Sequence, residues 1–518
     1  MVNTELFQTL RGLFVPAADA VNEAGGAAYA LRPEHQLAQL AATGCLNNTF
    51  YASGQAQLDQ VLALAQSAEP AFVARTAVYA RRAGHMKDMP ALLLATLAVR
   101  DVALFAKVFG RVVDNGKMLR NVVQVLRSGV VGRKSLGSRP KKLVQQWLLD
   151  ATEAQLLQAA VGNTPSLADV VKMVHPKPAE AWRAAWFAWL IGRPHEAAAL
   201  PPLTAAFERF KADRTSEVPD VPFQMLSALE LDAAAWARIA ERGSWQMVRQ
   251  NLNTFARHGV FAQPGMAEVV AARLRDPQAV AQARVLPYQL MTACMAADAE
   301  VPAVVKEALQ DAMELALANV PRFEGRVVVC PDVSGSMSSP VTGYRRGATS
   351  VVRCIDVAAL MAAAVLRQNA TARVLPFENK VVPVALDPRD SVMTNAQKLA
   401  AIGGGGTACA APLELLNREK AKADLVLLVS DNESWADKAR GRGTATMQAW
   451  AAFKQRNPQA RLVCIDIQPN GSTQAQERAD VLNIGGFSDE VFKLLALYAA
   501  GGLGAEHWVG VIEEIALA

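Results

Sequence analysis

The pattern of apolar residues changes near residue 325 of this 518-residue chain. Before that point the chain is a series of Ala- and Leu-rich segments, such as AQLDQVLALAQSAEPAFVARTAVYARRAG, whose apolar residues recur with the spacing of a helix face. After it, nearly continuous apolar runs alternate with segments that have helical spacing. No single repeating architecture accommodates both patterns, so the sequence predicts two domains, residues 1–325 and 326–518.

The first domain is predicted to be all helical. Its helical segments are short and end at Pro or Gly stops such as LRPEHQ and AQPGMAE, and no strand-like alternation separates them. Many short helices in succession favour an α-solenoid of stacked, HEAT-like helical repeats. Because no clean repeat period is visible, an irregular helical bundle stays open as the alternative.

The second domain is predicted to alternate strands with helices. The strand candidates are RVVVCPD, TARVLPFEN, KVVPVAL, ADLVLLVSD and ARLVCIDIQ. Apolar strands that need cover on both faces indicate a doubly wound, mostly parallel, Rossmann-like sheet with helices on either side. In such sheets the ligand site lies beyond the carboxyl ends of the strands.

Three loops at that edge carry hard oxygen donors. The first strand ends in the motif D-x-S-x-S, a Gly run precedes a threonine in GGGGTACAAP, and an aspartate follows LVLLVS. Carboxylates and hydroxyls, with no imidazole or thiol among them, suit Mg²⁺, Mn²⁺ or Ca²⁺ rather than zinc. A cluster of helix N-caps would explain Ser336 but not the other two loops. The sequence therefore predicts one divalent cation, with Mg²⁺ preferred, bound by Asp332, Ser334, Ser336, Thr407 and Asp431.

Composition and motifs argue against several other classes of protein. No uninterrupted apolar run has the length of a membrane span, and the first residues lack the features of a signal peptide. The six cysteines are scattered without metal-binding spacing, which fits reduced thiols in a cytoplasmic protein. There is no G-x-x-x-x-G-K-[ST] phosphate loop, no G-x-S-x-G elbow and no H-E-x-x-H motif. We therefore expect a protein that is not an enzyme, and a metal hydrolase stays open as an alternative.

Basic residues concentrate in one segment of the first domain. Arg100–Lys142 holds eleven Lys or Arg side chains and two acidic ones, and the stretch RSGVVGRKSLGSRPKK holds six basic residues and no acidic one. These side chains cannot all face a core, so we expect an exposed surface that contacts phosphates. Further along, KMVHPKP places two lysines and a histidine around a turn with two prolines. A solvated face without function is the alternative, but such faces usually mix both signs of charge.

Several linked motifs resemble one known family. Residues 326–518 resemble a von Willebrand factor A (vWA) domain with a metal-ion-dependent adhesion site, whose ligands match the five oxygen-donor residues. DVSGSM, GGGGTACAAPLELL, VLLVSDNESWA and GGFSDEVFKLL resemble more closely the vWA domain of the Ro ribonucleoprotein autoantigen family. NEAGGAAYAL, FYASG, VHPKP, WQMVRQNLNTFARHGVF and RVLPYQLMTA resemble its TROVE module. The chain is thereby identified as a bacterial Ro-related protein. One departure is VTGYRRGATSVVR, within residues 341–353, which is longer than the usual connection and lies beside the metal loops.

The resemblance implies an RNA-binding scaffold in which the vWA domain closes a ring of helical repeats. It implies small structured Y RNA on the outer surface, and 3′ single-stranded ends of misfolded or structured noncoding RNA in the hole. An exoribonuclease such as polynucleotide phosphorylase is the implied protein partner. We expect a monomer without a membrane partner.

The position of His175 matches one that contributes to Y RNA binding in the family. The candidate RNA-binding residues are Lys117, Arg120, Arg127, Arg133, Lys134, Arg139, Lys141, Lys142, Lys172, His175 and Lys177. The alternative function is a metal-dependent protein-interaction module, of the adhesion or chaperone type, which takes an acidic protein ligand at the metal. The basic segment favours RNA, because a pure protein adaptor does not need it.

Overall fold

A computed structural model of the chain describes residues 15–43, 46–283, 285, 287–317, 320–344, 352–436, 443–468, 470–486, 489–503 and 507–517. Part of the longer connection predicted within residues 341–353, namely 345–351, lies outside the described residues. In the described part, no helix combines the length and the apolar character needed to cross a membrane.

The first domain is a succession of short helices, as predicted. They are α1 (Pro33–Thr43), α2 (Gly54–Ser67), α3 (Pro70–Arg82), α4 (Asp88–Arg100), α5 (Val102–Val112), α6 (Gly116–Ser128), α7 (Ser138–Asp150), α8 (Glu153–Ala160), α9 (Leu167–Val174), α10 (Ala181–Leu190), α11 (Pro202–Ala212), α12 (Phe223–Leu226), α13 (Ala233–Arg242), α14 (Trp245–Gln250), α15 (Leu252–Arg257), α16 (Met266–Leu274), α17 (Pro277–Ala283), α18 (Pro287–Ala296) and α19 (Ala303–Ala316). Sequence neighbours such as α3, α4 and α5 pack against one another, which is the arrangement of stacked helical hairpins.

Short strands at the start of the chain contradict the all-helical expectation for the first domain. Strand β1 (Ala20–Val21) pairs antiparallel with β2 (Ala27–Ala30). Strand β2 also pairs antiparallel with β7 (Ser472–Thr473) of the second domain. Strands this short cannot show the alternating pattern that identifies a strand in a sequence, and the second partner of β2 lies in the other domain. The hairpin β1–β2 therefore joins the start of the chain to the second domain.

The second domain contains a five-stranded parallel sheet. Its strands are β3 (Val327–Pro331), β4 (Arg373–Val374), β5 (Leu425–Ser430), β6 (Arg461–Asp466) and β8 (Val481–Gly485), in the order β4-β3-β5-β6-β8. Its helices are α20 (Cys354–Gln368), α21 (Val392–Ala400), α22 (Ala411–Arg418), α23 (Ala445–Arg456), α24 (Asp489–Ala499) and α25 (His507–Glu513). Val327 and Val329 face one hydrophobic core, whereas Val328 and Cys330 face another. The sheet is therefore covered on both faces, which confirms the doubly wound prediction.

Two strand predictions for this domain need correction. The segment KVVPVAL forms no strand, because only Val381 makes an isolated bridge, to Phe377. The edge strand β8, with the sequence VLNIG, was not predicted. Its single polar residue, Asn483, is buried, and its side chain hydrogen-bonds Thr473 and Ala475 within the domain. Neither error changes the position of the strand ends at the predicted site.

Both ends of the helical region contact the vWA-like domain. Helix α1 packs against β8 and α25, and α3 also packs against α25. At the other end, α18 packs against α20, and α19 packs against α21. The C-terminal domain thus lies against the first and the last helices of the region. A closed ring stays a prediction.

Candidate functional site

The five predicted metal-site residues lie together at the carboxyl ends of β3 and β5. The Thr407 hydroxyl donates to Ser334 Oγ at 3.0 Å, and Ser334 Oγ is 3.3 Å from Ser336 Oγ. The Ser336 side chain in turn hydrogen-bonds Asp431. Asp332 directly follows β3, and none of the five residues is more than 7% exposed. The rule for parallel sheets therefore located the convergence of three loops correctly. Their role as metal ligands stays a prediction.

Neighbouring backbone and side chains orient the first aspartate. The Asp332 carboxylate accepts a hydrogen bond from the backbone N–H of Ser334 at 2.8 Å and another from the Ser430 hydroxyl at 2.6 Å. The Gly run then brings backbone against this loop, since Gly335 N–H donates to Gly405 O at 3.1 Å. Gly405 has φ +74°, and a Cβ there would lie 1.7 Å from Glu378 Oε2. The left-handed backbone at Gly405 favours glycine, and Glu378 would have to move to admit a Cβ.

The site concentrates negative charge in a buried place. Burial, and secondly the charge of Asp431, raise the pKa of Asp332, and burial also raises the pKa of Asp431. Burial raises the pKa of Glu433 to about 7, and it raises the pKa of Asp466 well above its usual range. Among the described Lys, Arg and His side chains, none forms an ion pair with these four carboxylates. A buried carboxylate without a counter-ion is unfavourable, so a bound cation would relieve this arrangement.

The donor set decides what kind of cation fits. In the described part of the chain, no group of three or more His, Cys, Asp or Glu side chains is arranged to hold a metal. The candidate set is instead two carboxylates and three neutral hydroxyls, all oxygen, which are ligands of Mg²⁺, Mn²⁺ and Ca²⁺. Neutral hydroxyls leave a divalent ion with much of its charge, so it would still attract an anionic group from outside. The residues present therefore fit the predicted hard cation.

Sequence analysis missed several residues around this site. Ser430, Glu433 and Asp466 lie at or just after the ends of β5 and β6, where the same rule of strand ends could have found them. Tyr51 lies in the other domain, and its hydroxyl hydrogen-bonds the Ser336 side chain. Nothing in a single sequence indicates a contact between residues so far apart. Burial raises the pKa of Tyr51 well above its usual range, and Asp431 adds to this effect.

Exposed aromatic side chains lie next to the metal loops. In the described part of the chain, the exposed Phe, Tyr and Trp side chains are Phe50, Tyr344 and Trp435, each more than half exposed. Phe50 packs edge-on against Tyr51 with ring centroids 4.8 Å apart, and Tyr344 N–H donates to Asn48 O at 2.7 Å. Trp435 N–H donates to the carbonyl of a candidate ligand, Thr407, at 3.1 Å. Among the described residues, the exposed aromatic side chains thus lie on or next to the loops around this site.

The candidate RNA-binding residues lie on neighbouring elements of the first domain. They come from α6, the loop that follows it, the first turn of α7 and the end of α9, and α9 packs against both other helices. Within the described chain, none of them forms an ion pair. Arg133 and Lys141 are half-buried, and Arg120 is buried. The exposed members are Lys117, Arg127, Lys134, Arg139, Lys142, Lys172, His175 and Lys177.

Arg120 is a structural residue, which corrects its assignment to the RNA surface. It is 7% exposed, its Nη1 donates to Pro165 O at 3.2 Å, and its Nη2 donates to Val161 O. Arg120 lies four residues after the buried Gly116 and three before the buried Val123, so it belongs to the apolar face of α6. A charged side chain in this position binds carbonyl groups of its own chain and is not available to a ligand.

Arg133 and His175 combine structural contacts with exposure. Arg133 Nε donates to Ser135 O at 2.9 Å and Nη1 donates to Ala98 O at 3.1 Å, which anchors the loop to α4. His175 ends α9 in the left-handed conformation with φ 53°, and its backbone N–H donates to Val171 O at 2.9 Å. Its backbone thus caps the helix, while the residue stays exposed. A capping backbone and a side chain that faces a ligand are compatible.

Comparisons with known proteins agree with this architecture. Residues 326–499 match the family model described as the Ro60 vWA domain. The chain is 25% identical over 520 residues to the "RNA-binding protein RO60" of Deinococcus radiodurans, with 93% of this chain and 95% of that protein covered. The crystal structure of the Deinococcus radiodurans RO (RSR) protein is similar with a TM-score of 0.63 at 23% identity, and the match covers 91% of this chain and 100% of that chain. The family model, the curated relative and the fold agree, so the chain is similar to Ro proteins over nearly its whole length, and residues 326–499 match the Ro60 vWA domain.

Proposed function

We propose that this protein binds RNA through the exposed basic surface of α6, α7 and α9. The observation that carries the proposal is a set of exposed Lys and Arg side chains that form no ion pair among the described residues, which would attract a polyanion. A basic side chain that stabilises the fold is expected to bind acceptors of its own chain or to be buried, as Arg120 is. The name of the Deinococcus relative, an RNA-binding protein, supports the same function.

The family resemblance refines this proposal. Small structured Y RNA would lie on the outer basic surface, and 3′ single-stranded ends of misfolded noncoding RNA would enter the hole of a closed ring. An exoribonuclease, such as polynucleotide phosphorylase, would process the RNA so presented, in the cytoplasm. The contacts of both ends of the helical region with the C-terminal domain support a ring, because they bring those two ends to one domain.

The test of RNA binding is a filter-binding titration at several salt concentrations. With about six phosphates engaged, affinity for a structured small RNA should fall roughly a thousandfold between about 50 and 200 mM salt. Arg139→Glu with Lys142→Glu should weaken binding and reduce the slope of log affinity against log salt by roughly two. Both positions are exposed near the start of α7, and Arg139 lies in its first turn, where an acidic residue interacts favourably with the helix dipole, so the fold should be kept.

The matched control places the same change of charge in the other domain. Lys420→Glu with Lys422→Glu alters two exposed lysines beyond α22 and changes the net charge equally. This variant should keep the affinity and the salt slope of the wild type. Equal losses in both double variants would mean that net charge, rather than this surface, determines binding. An affinity that barely changes with salt would reject the phosphate-binding surface itself.

We also propose that the five oxygen-donor residues bind one divalent cation, Mg²⁺ by preference, and that it serves docking and not catalysis. The five residues supply two carboxylates and three hydroxyls. An octahedral ion would therefore keep at least one coordination position for water or an incoming ligand. A two-metal hydrolase would need further carboxylates directed at the same place. Calorimetric titration with Mg²⁺ tests this, and absence of binding at millimolar Mg²⁺ would reject it.

A second candidate function is the docking of an acidic protein segment at this cation. The observation that favours it is the group of exposed aromatic side chains, Phe50, Tyr344 and Trp435, around the site. A carboxylate of the partner would complete the coordination of the cation, and apolar residues next to that carboxylate in the partner would cover the aromatic rings. Trp435→Ala should then weaken capture of the partner exoribonuclease in the presence of Mg²⁺ while leaving RNA affinity unchanged. Capture that is independent of Mg²⁺ would contradict this mode.

A further inference from the structure

Two segments from the start of the chain lie on the metal loops of the vWA domain. The first is the turn between β1 and β2. The buried Asn22 side chain donates from Nδ2 to Ser434 O at 2.8 Å, and Ala24 N–H donates to Glu433 Oε2 at 3.3 Å. Gly26 approaches so closely that a Cβ there would lie 2.1 Å from Ser434 O. The turn therefore sits directly on the loop that follows Asp431.

The second segment is 47–51, which precedes α2. Asn47 Nδ2 donates to Thr342 O at 2.8 Å, and Asn48 O accepts from Tyr344 N–H at 2.7 Å. At the end of this segment Tyr51 is half-buried, and its hydroxyl hydrogen-bonds the Ser336 side chain. These contacts attach the segment to the loop that carries the D-x-S-x-S motif. Both segments thus contact residues that are candidate ligands or their immediate neighbours.

The chemistry of Ser336 gives Tyr51 a specific role. A serine hydroxyl has one proton and two lone pairs. The Ser336 hydroxyl contacts Asp431 and Tyr51, and its oxygen lies 3.3 Å from Ser334 Oγ, so Tyr51 is one of three side chains that fix its orientation. Without the Tyr51 hydroxyl, Ser336 keeps its contacts with Asp431 and Ser334 but has one partner fewer, so its orientation is less well fixed before the cation binds. Pre-arranged ligands bind a cation more tightly than mobile ones.

We propose that residues 22–26 and 47–51 form a latch on the metal centre, and that Tyr51 is a positioning residue which holds Ser336 for the cation. This inference rests on the proposed metal site. Cation binding and attachment of the latch then favour each other by the same factor, because linkage between two binding events is reciprocal. Loading of the vWA domain would in this way control how firmly the start of the helical region is held.

The experiment uses the full-length chain, with Mn²⁺ as the probe for affinity and Mg²⁺ for hydrogen exchange. Mn²⁺ affinity is measured from the electron paramagnetic resonance of the free ion. In the wild type, Mg²⁺ should slow amide exchange in residues 20–31 and 47–52. Tyr51→Phe should weaken Mn²⁺ binding about fivefold or more and remove the protection of residues 47–52. Gly26→Ala should also weaken Mn²⁺ binding, and it should remove the protection of residues 20–31, since its Cβ would overlap Ser434 O and displace the turn.

Tyr344→Phe is the matched control. It removes the same hydroxyl from a neighbouring tyrosine that is 55% exposed and contacts the latch through its backbone N–H. It should keep both the Mn²⁺ affinity and the protection. If Tyr51→Phe binds Mn²⁺ as tightly as the wild type does, the latch is overturned and the metal site stands. If the wild type binds no divalent cation, the metal site fails and the latch fails with it.

Discussion

Arg120 is a basic residue that acts within the helical region. Its guanidinium donates to the carbonyls of Val161 and Pro165, and it packs against Gly162, so it holds the connection between α8 and α9 to α6. Burial lowers its pKa, which is the sign of a charge that is kept away from water. Removing such a group leaves buried acceptors without donors, and that loss is larger than the value of an ordinary hydrogen bond.

Arg120→Met should therefore lower the free energy of unfolding by about 1–3 kcal/mol. The measurement is urea denaturation, with Lys117→Met as a control because Lys117 is exposed on the same helix. The control should change stability by less than about 0.5 kcal/mol. At a temperature where both variants are folded, RNA affinity should be lower for Lys117→Met but not for Arg120→Met. The opposite pattern would return Arg120 to the RNA surface.

His35 lies at the contact between the two domains and should make stability depend on pH. It is 3% exposed, its Nε2 is 3.0 Å from Asn483 O of β8, and its ring packs edge-on against Trp508 of α25. Burial lowers the pKa of His35 to about 4. In the unfolded chain, His35 binds a proton with a pKa near 6.5. Protonation of His35 therefore stabilises the unfolded state relative to the native state as the pH falls from 6.5 towards 4.

His35→Gln should remove this dependence. Between pH 7 and pH 4 the wild type should lose about 3 kcal/mol more stability than the variant, since the two pKa values of His35 differ by about 2.5 units. The measurement is the urea midpoint at each pH, and the difference between the two proteins cancels the titration of all shared groups. His195→Gln, in an exposed loop, is the control and should follow the wild type. Parallel curves for wild type and His35→Gln would show that His35 is protonated in the folded state.

At the scale of the elements, the metal loops connect β3, β5 and the Gly run, and a bound cation should tie them together. A ligand that binds the folded state at about 100 times its Kd stabilises that state by about 2.7 kcal/mol. Mg²⁺ at that concentration should raise the unfolding free energy of the wild type by this amount. Asp332→Ala should show no gain, because one of the two carboxylates is lost. Ser338→Ala, at an exposed serine in the same loop, should gain as the wild type does. An equal gain for Asp332→Ala would place the cation elsewhere.

The elements also show which features a sequence reveals. The D-x-S-x-S residues were predictable because both their spacing and their position after an apolar strand are local. The strands β1, β2 and β7 were not, since each has two to four residues and the pairing of β2 with β7 joins distant parts of the chain. Arg120 was misassigned because the count of basic residues ignored helix phase, although Gly116 and Val123 on the same face of α6 indicate burial. The helical spacing of apolar residues should therefore be used to check whether a charged residue lies on the buried face, before that residue is assigned to a surface.

At the scale of the whole molecule, the two candidate sites lie in different domains. The exposed basic residues lie on α6, α7 and α9, whereas the metal loops lie at the strand ends of the vWA domain. We therefore expect Asp332→Ala to change RNA affinity by less than about threefold, even though it abolishes cation binding, because a small shift of this size is typical of sites that do not interact. The measurement is filter binding on the same protein preparation. Loss of RNA binding with unchanged thermal stability would mean that the metal centre is part of the RNA surface.

The last prediction concerns how RNA would enter a ring. Duplex RNA is recognised from outside through its shape and phosphates, but only an unpaired strand is thin enough to pass through a hole between helices. RNA with a 3′ single-stranded tail should therefore bind more tightly than the same duplex with blunt ends, by about 1–3 kcal/mol for each base that stacks inside. A duplex with a 5′ tail of equal length is the control for added charge. If blunt duplexes compete as well as tailed ones at each salt concentration, the basic surface alone accounts for binding. Covalent attachment of a bulky group to the 3′ end gives an independent measurement, since it should block threading while leaving the contacts of the duplex with α6 and α7 unchanged.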